Sequence, residues 1–184
     1  MSDPRRVRIF IALVLLIFLA AYNYLILGQE KLLADGRRVI LRLVPLDPRS
    51  LMQGDYMILA FAVERDILKA MREQDKKEGE EEESSRKRRG LAVLRLEGDL
   101  GCFVRLHAGE KPAPDEILLE YKMTGRDIKV SGGAFFFEEG LAGLYSQARY
   151  AELRVAPGGW SLIKNLLDQD MRILRKEEGV LENR

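Results

Sequence analysis

Few residues in this chain have the type and spacing that chemistry demands, and most of them stand near two turns. Asp55 follows Gly54 where the turn-rich stretch Val44-Pro-Leu-Asp-Pro-Arg-Ser-Leu-Met-Gln-Gly-Asp55 opens into an apolar run. A carboxylate there either caps backbone amides of the preceding loop, the ordinary work of Asp in a turn, or faces a ligand. Ser50 is the nearest hydroxyl, and no lysine is clearly placed to activate it. Glu138 and Glu139 precede Gly140 at the second turn. Neighbours on an extended chain point to opposite faces, so these two form no acid/base pair with each other. One of them is expected to cap a short helix that follows. A hard cation takes oxygen ligands from distant segments, which leaves Asp55 with Glu138 or Glu139 as a cation site to test. His107 is the only histidine and Cys102 the only cysteine. A lone imidazole makes no zinc site, and Cys102, inside the strand-like run Cys102-Phe-Val-Arg-Leu-His107, reads as a small core residue. The residues call for no cofactor.

The elements that must position these groups are mostly strands. After Asp55, Tyr56, Ile58 and Ala60 alternate with Met57, Leu59 and Phe61, which predicts a strand buried on both faces. A strand over residues 39–44 precedes it. Beyond Val63, the spacing of Ile67, Leu68 and Met71 predicts a one-sided helix covering one sheet face. That helix gives way to charge, and residues 74–90, with Glu80, Glu81, Glu82 and Glu83 followed by Arg86, Lys87, Arg88 and Arg89, read as a charged, mobile insert. Its basic end is also suited to anionic lipid head groups. Residues 91–96 and 101–107 predict a hairpin about Gly98-Asp99, and 117–123 with 128–131 a second about Gly125. A strand over 134–137, a short helix carrying Leu141, Leu144, Tyr145 and Ala148, a strand over 150–155 and a last strand over 160–167 complete the domain. In that last strand Trp160, Leu162 and Leu166 are expected on one face. The charged tail 168–184 is expected to hold a short terminal helix.

Composition bounds the partners. With 30 Lys+Arg against 29 Asp+Glu the chain gives no reason to expect a nucleic-acid partner. Residues 9–27 carry no charge, and 19 helical residues at about 1.5 Å each just cross a hydrocarbon core of about 30 Å. Arg5, Arg6 and Arg8 before that run predict a cytoplasmic tail (1–8), a transmembrane anchor (9–27) in the bilayer, a polar juxtamembrane linker (28–38) and an extracytoplasmic domain (39–167). Tyr22 and Tyr24 suit the outer interface. No small-x-small site ends the apolar run, so the anchor reads as uncleaved. The expected fold class is α+β, mainly β: one N-terminal transmembrane helix, then a compact antiparallel β-rich domain with one or two short helices.

The stretch Leu46-Asp-Pro-Arg-Ser-Leu-Met-Gln-Gly-Asp-Tyr-Met-Ile-Leu-Ala-Phe61 resembles the signature of the GDYXXLXY family of bacterial membrane-anchored proteins. Gly54, Asp55, Tyr56 and Leu59 fit it, and Phe61 stands where the family has its second tyrosine, keeping the ring and losing the hydroxyl. Phe136-Phe-Glu-Glu-Gly140, Tyr145 and Ala148-Arg-Tyr-Ala-Glu-Leu-Arg-Val155 are similar to the family's C-terminal half. The resemblance implies a domain on the outer side of the bacterial inner membrane, without an assigned activity, beside a multi-pass membrane protein partner. The candidate ligand- or partner-binding residues are Gly54, Asp55, Tyr56, Leu59, Phe61, Glu138, Glu139 and Tyr145. A noncatalytic role in binding or stabilising that partner is the leading expectation. The alternative is a small-ligand or divalent-cation sensor. Pro48, Ser50, Leu51 and Gly54-Asp55 also resemble the substrate-binding region of type I signal peptidases, but Leu46 stands where those enzymes have the nucleophilic serine.

Overall fold

The uncharged run lies inside a helix that outlasts it on both sides. In the computed structural model, which describes residues 4–44, 56–78, 89–125 and 127–175, helix α1 covers Pro4–Asp35, 32 residues, or roughly 48 Å at the usual rise. Apolar side chains are exposed around its whole circumference, Phe18 at 71 %. A helix with no polar face finds no stable place in water, and α1 is long and apolar enough to cross a membrane. Residues 28–35, expected as a polar linker, continue the helix. Gln29, Glu30, Lys31, Leu32, Leu33 and Ala34 are all good helix formers, and Leu32 is buried against the domain. Gly36 ends the helix: its N–H still bonds the Leu32 carbonyl at 2.8 Å. A Cβ on Gly36 would stand 2.7 Å from Leu32 Cδ1. Strand β1 (Arg37–Arg42) starts at the next residue.

The main sheet has seven strands in the order β6-β5-β3-β4-β1-β8-β9. They are β3 (Arg89–Glu97), β4 (Leu100–Leu106), β5 (Glu116–Thr124), β6 (Asp127–Val130), β8 (Tyr150–Val155) and β9 (Ser161–Leu167) around β1. All neighbours are antiparallel except β1 and β4. One face carries the core, with Val39, Leu41, Ala92, Leu94, Ile117, Leu119, Ala151 and Leu153 packed together. Helix α2 (Ala62–Glu78) contributes Val63 and Ile67 to the same core. It therefore runs into the segment expected as charged insert: residues 74–78 are helical, 89–90 already belong to β3, and 79–88 lie outside the described residues.

The sheet curls until its ends meet. The turn after β8 reaches the free edge of β5, where Glu120 N–H donates to the Gly159 carbonyl at 2.7 Å. Gly159 has φ +91, and a Cβ there would stand 2.8 Å from Leu91 Cδ2, so only glycine closes this seam without strain. Ser131 Oγ donates to the Ser161 carbonyl at 3.0 Å beside it.

A two-stranded ribbon, β2 (Tyr56–Ile58) with β7 (Ala134–Phe136), crosses the end of the sheet. It is tied on by Leu59 N–H to the Gly133 carbonyl at 2.7 Å and Val44 N–H to the Ala60 carbonyl at 2.8 Å. The signature strand is buried on one face only: Met57, Leu59 and Phe61 are buried while Ile58 is exposed. Its alternation is thus that of a half-covered strand, and apolar residues on the open face disguised it.

Two other expectations fail for reasons of register. A bulge opposite Glu152 and Leu153 switches sides within β9, so Leu166 pairs with core residue Ala151 but Leu162 with Arg154 on the outer face. Trp160, Leu162 and Leu166 do not share a face. In β4, Gly101 and Phe103 take the core side, which puts Cys102 half-buried on the outer face opposite Arg95. The tail forms no helix among the described residues 168–175. Asp168 Oδ1 accepts from the N–H groups of Asp170 at 2.8 Å and Arg172 at 2.9 Å, and Ile173 bridges back to Leu167.

Candidate functional site

The signature residues divide between the core and one exposed aromatic face. Gly54, Asp55 and Ser50 lie outside the described residues. Leu59 and Phe61 are buried, Phe61 completely, in the cluster beneath α2. Phe61 therefore acts through its ring, as its place in the core requires. Its backbone N–H donates to Glu64 Oε2 at 3.2 Å, and the Glu64 N–H bonds the Phe61 carbonyl at 3.1 Å. That exchange is one half of a capping box, with Phe61 at the cap position and Glu64 in the first turn of α2.

Glu64 is the residue that sequence reasoning missed. Its carboxylate is only 7 % exposed, yet its other oxygen accepts the Val130 N–H at 3.0 Å. One side chain thus holds the end of the signature, the start of α2 and the end of β6. Burial pushes its pKa up from the usual carboxylate range, and the Val130 and Phe61 N–H groups oppose the shift. The three-residue spacing from the last signature ring to a glutamate was the available signal.

Tyr56 stands on the other side of the ribbon. Residues 56, 57 and 58 pair with 136, 135 and 134, so Tyr56, Ile58, Ala134 and Phe136 share the outward face while Met57 and Phe135 turn inward. The Tyr56 and Phe136 rings lie 5.7 Å apart, tilted by 38°. Phe136 is 75 % exposed. Tyr145, in α3 (Ala142–Tyr145), packs on the inward side, its ring centroid 5.2 Å from those of both Phe135 and Phe137. The two predicted tyrosines thus clasp β7 from opposite faces.

Glu138 and Glu139 lie past the end of β7, in the turn before α3, and both are exposed. Neither caps the helix: Leu141 holds the cap position with no side-chain bond, and its N–H bonds the Glu138 carbonyl at 3.3 Å. Two residues, Glu139 and Gly140, separate Glu138 from the cap, which places its carboxylate too early. His107 directly follows β4, with Nδ1 buried, unbonded and 3.9 Å from Glu110 Oε1. Among the described residues no group of three or more His, Cys, Asp or Glu side chains is placed to hold a metal ion.

The stronger charged groups outside the ribbon serve the sheet. Arg105 grips Glu116 in a fork, Nη1 to Oε1 at 2.7 Å and Nη2 to Oε2 at 3.1 Å, and Nε reaches Glu110 at 2.8 Å. Glu152, buried on the outer face, is held by Arg38 at 3.3 Å, Arg154 at 3.2 Å and Asn165 at 3.0 Å. Arg154 also donates to the Gly36 carbonyl at 3.2 Å, so this cluster reaches the end of α1.

These features define a curled, mainly β domain carried on a single apolar helix, with an aromatic ridge built from the signature strand and β7. The GDYXXLXY protein family matches residues 18–166, and the chain belongs to it. No curated protein and no solved structure gives a significant match.

Proposed function

We propose that this chain is a noncatalytic, single-pass inner-membrane protein of the bacterial cell envelope whose outer domain binds and stabilises a neighbouring multi-pass membrane protein. Arg5, Arg6 and Arg8 keep the N-terminus in the cytoplasm, α1 crosses the bilayer, and the sheet stands outside. The reading is carried by the ridge: Phe136 is exposed at 75 % while stacked on Tyr56. Rigid aromatic side chains that ordered structure holds out in solvent are the usual anchors of protein interfaces. Membership of one bilayer supplies the partner, because α1 restricts the domain to encounters near the membrane surface.

The test is a photo-reactive amino acid at position 136 in intact membranes, with exposed Lys111 as the control position. The expected result is one integral membrane protein captured from 136 and not from 111, whose abundance falls in cells carrying Phe136→Ser. Capture that is equal from both positions, or confined to soluble proteins, sinks the proposal.

A further inference from the structure

Beside the ridge lies a cavity of about 500 Å³ that the signature does not explain. Three cations stand on it in one row across three strands: Arg89 of β3 is the register partner of Lys122 of β5, which is the partner of Lys129 of β6. Directly opposed side chains in a sheet have Cβ atoms about 5 Å apart, and like charges there repel. Two carboxylates offset part of that repulsion: Glu120, on the same lining, stands 3.7 Å from Arg89, and Glu64 attracts Lys129 at longer range. Neither Lys122 nor Lys129 has a hydrogen bond or close ion pair with the described residues.

The same lining also carries apolar surface, from Ile58 and from Trp160, which is 44 % exposed. The turn Ser131-Gly132-Gly133 also lines the cavity, and all three of its residues have positive φ, at 51°, 74° and 68°. Ser131 is a non-glycine held in this disfavoured region, and its hydroxyl is fixed to the Ser161 carbonyl. Strained backbone that surrounding bonds hold in place accumulates at binding sites.

We infer that this cavity binds a phosphorylated ligand, with the phosphate on the Arg89, Lys122 and Lys129 row and the ring or apolar remainder along Trp160 and Ile58. A phosphate carries up to two negative charges and several acceptor oxygens, which suits three neighbouring cationic donors and neutralises their repulsion. Phosphate esters reach such a site either free in solution or as lipid head groups. The site borders the ridge through Ile58, but the row and Trp160 lie outside the aromatic pair, so substitutions in the row test this inference without touching the residues that carry the partner-binding reading.

Trp160 is the only tryptophan of the chain, so with a tryptophan-free scaffold protein and excitation beyond the tyrosine band its fluorescence reports on the cavity lining. The full chain in phosphatidylcholine nanodiscs is titrated with glycerol 3-phosphate, with sodium chloride at matched ionic strength as reference. A second set of nanodiscs carries increasing phosphatidylglycerol. A saturable change with glycerol 3-phosphate identifies a soluble ester; one seen only with phosphatidylglycerol identifies the head group. In either case Lys122→Gln with Lys129→Gln weakens binding at least tenfold, and the Lys122→Arg with Lys129→Arg pair retains it. The paired glutamine variant, relieved of repulsion, melts no lower than the parent without ligand, which separates lost binding from lost fold. No saturable change in either series, or an unchanged titration in the glutamine variant, overturns the inference.

Discussion

Val130 donates its backbone N–H to Glu64 Oε1 at 3.0 Å, joining residues 66 positions apart. The second Glu64 oxygen serves Phe61, so one buried carboxylate satisfies two donors that have no water to turn to. Glu64→Ala strands both and is expected to cost about 2 to 4 kcal/mol. Glu64→Gln keeps one acceptor and is expected to cost about 1 to 3 kcal/mol. Thermal melts of the two variants in detergent micelles measure this; a loss no greater than that of an exposed glutamate such as Glu73 would contradict the assignment.

Stability should respond to pH in two opposite ways. Glu116 is held down to about 2, first by the Arg105 fork and then by the Ala113 N–H. Its contribution is complete above 4.5, the value of the unfolded carboxyl, and is lost as pH falls from there towards 2. Glu64 is shifted up by burial, so the folded chain holds its proton more tightly. Its contribution is complete below 4.5 and is lost as pH rises through its raised folded pKa. Melting temperature is expected to show a mildly acidic maximum. Glu116→Gln should flatten the acidic limb and Glu64→Gln the other, and a variant that flattens the wrong limb refutes the corresponding sign.

Phe61 and Phe136 have opposite sensitivities. Phe61→Ala empties a fully buried site and is expected to cost about 3 to 5 kcal/mol. Phe136→Ser alters an exposed side chain and should change stability by no more than about 0.5 kcal/mol. Chemical denaturation compares them directly. A large stability loss in Phe136→Ser would mean that the ridge belongs to the core and is not free to meet a partner.

Among the described residues, the seam that closes the sheet is held by one backbone bond, Glu120 N–H to the Gly159 carbonyl, beside the Ser131 Oγ bond to the Ser161 carbonyl. Gly159→Ala forces a side chain at φ +91 towards Leu91 and the Glu120 amide, with an expected cost of about 1 to 3 kcal/mol. Hydrogen exchange should locate the damage: the Glu120 amide loses protection while the β3 and β4 amides keep theirs. Uniform loss of protection across the sheet would show that the seam is no separate unit.

Elements set by local chemistry were legible in the sequence. Gly98-Asp99 marks the β3–β4 hairpin because a tight turn needs those residues, and positive φ at Gly98 bears it out. Alternation over 150–155 likewise gave β8. The charge-dense end of α2 misled, since Arg72, Glu73, Gln74, Lys76 and Lys77 are strong helix formers, while one apolar stripe from Val63 to Met71 is enough to seat the helix. Bulges were invisible, and the one in β9 reversed the side assigned to Leu162. The row of Arg89, Lys122 and Lys129 was also beyond reach, because it exists only once the registers of three strands are known. Of the residues singled out from the sequence, Leu59 and Phe61 lie in the core and Tyr56 and Tyr145 on either side of β7; that β7 separates the tyrosines and that Glu64 pins the signature depend on pairings the sequence does not display.

Only Gly36 intervenes between the last turn of α1 and the first residue of β1, and Arg154 clamps the Gly36 carbonyl from the next strand. There is no swivel at this joint. With α1 set in a bilayer, the heading of the aromatic ridge follows the rotational setting of the helix, so a protein that grips Phe136 meets a predetermined flank of the span. In that setting a rotation of the helix about its own axis would turn the ridge with it, because a one-residue joint held by Arg154 joins the two.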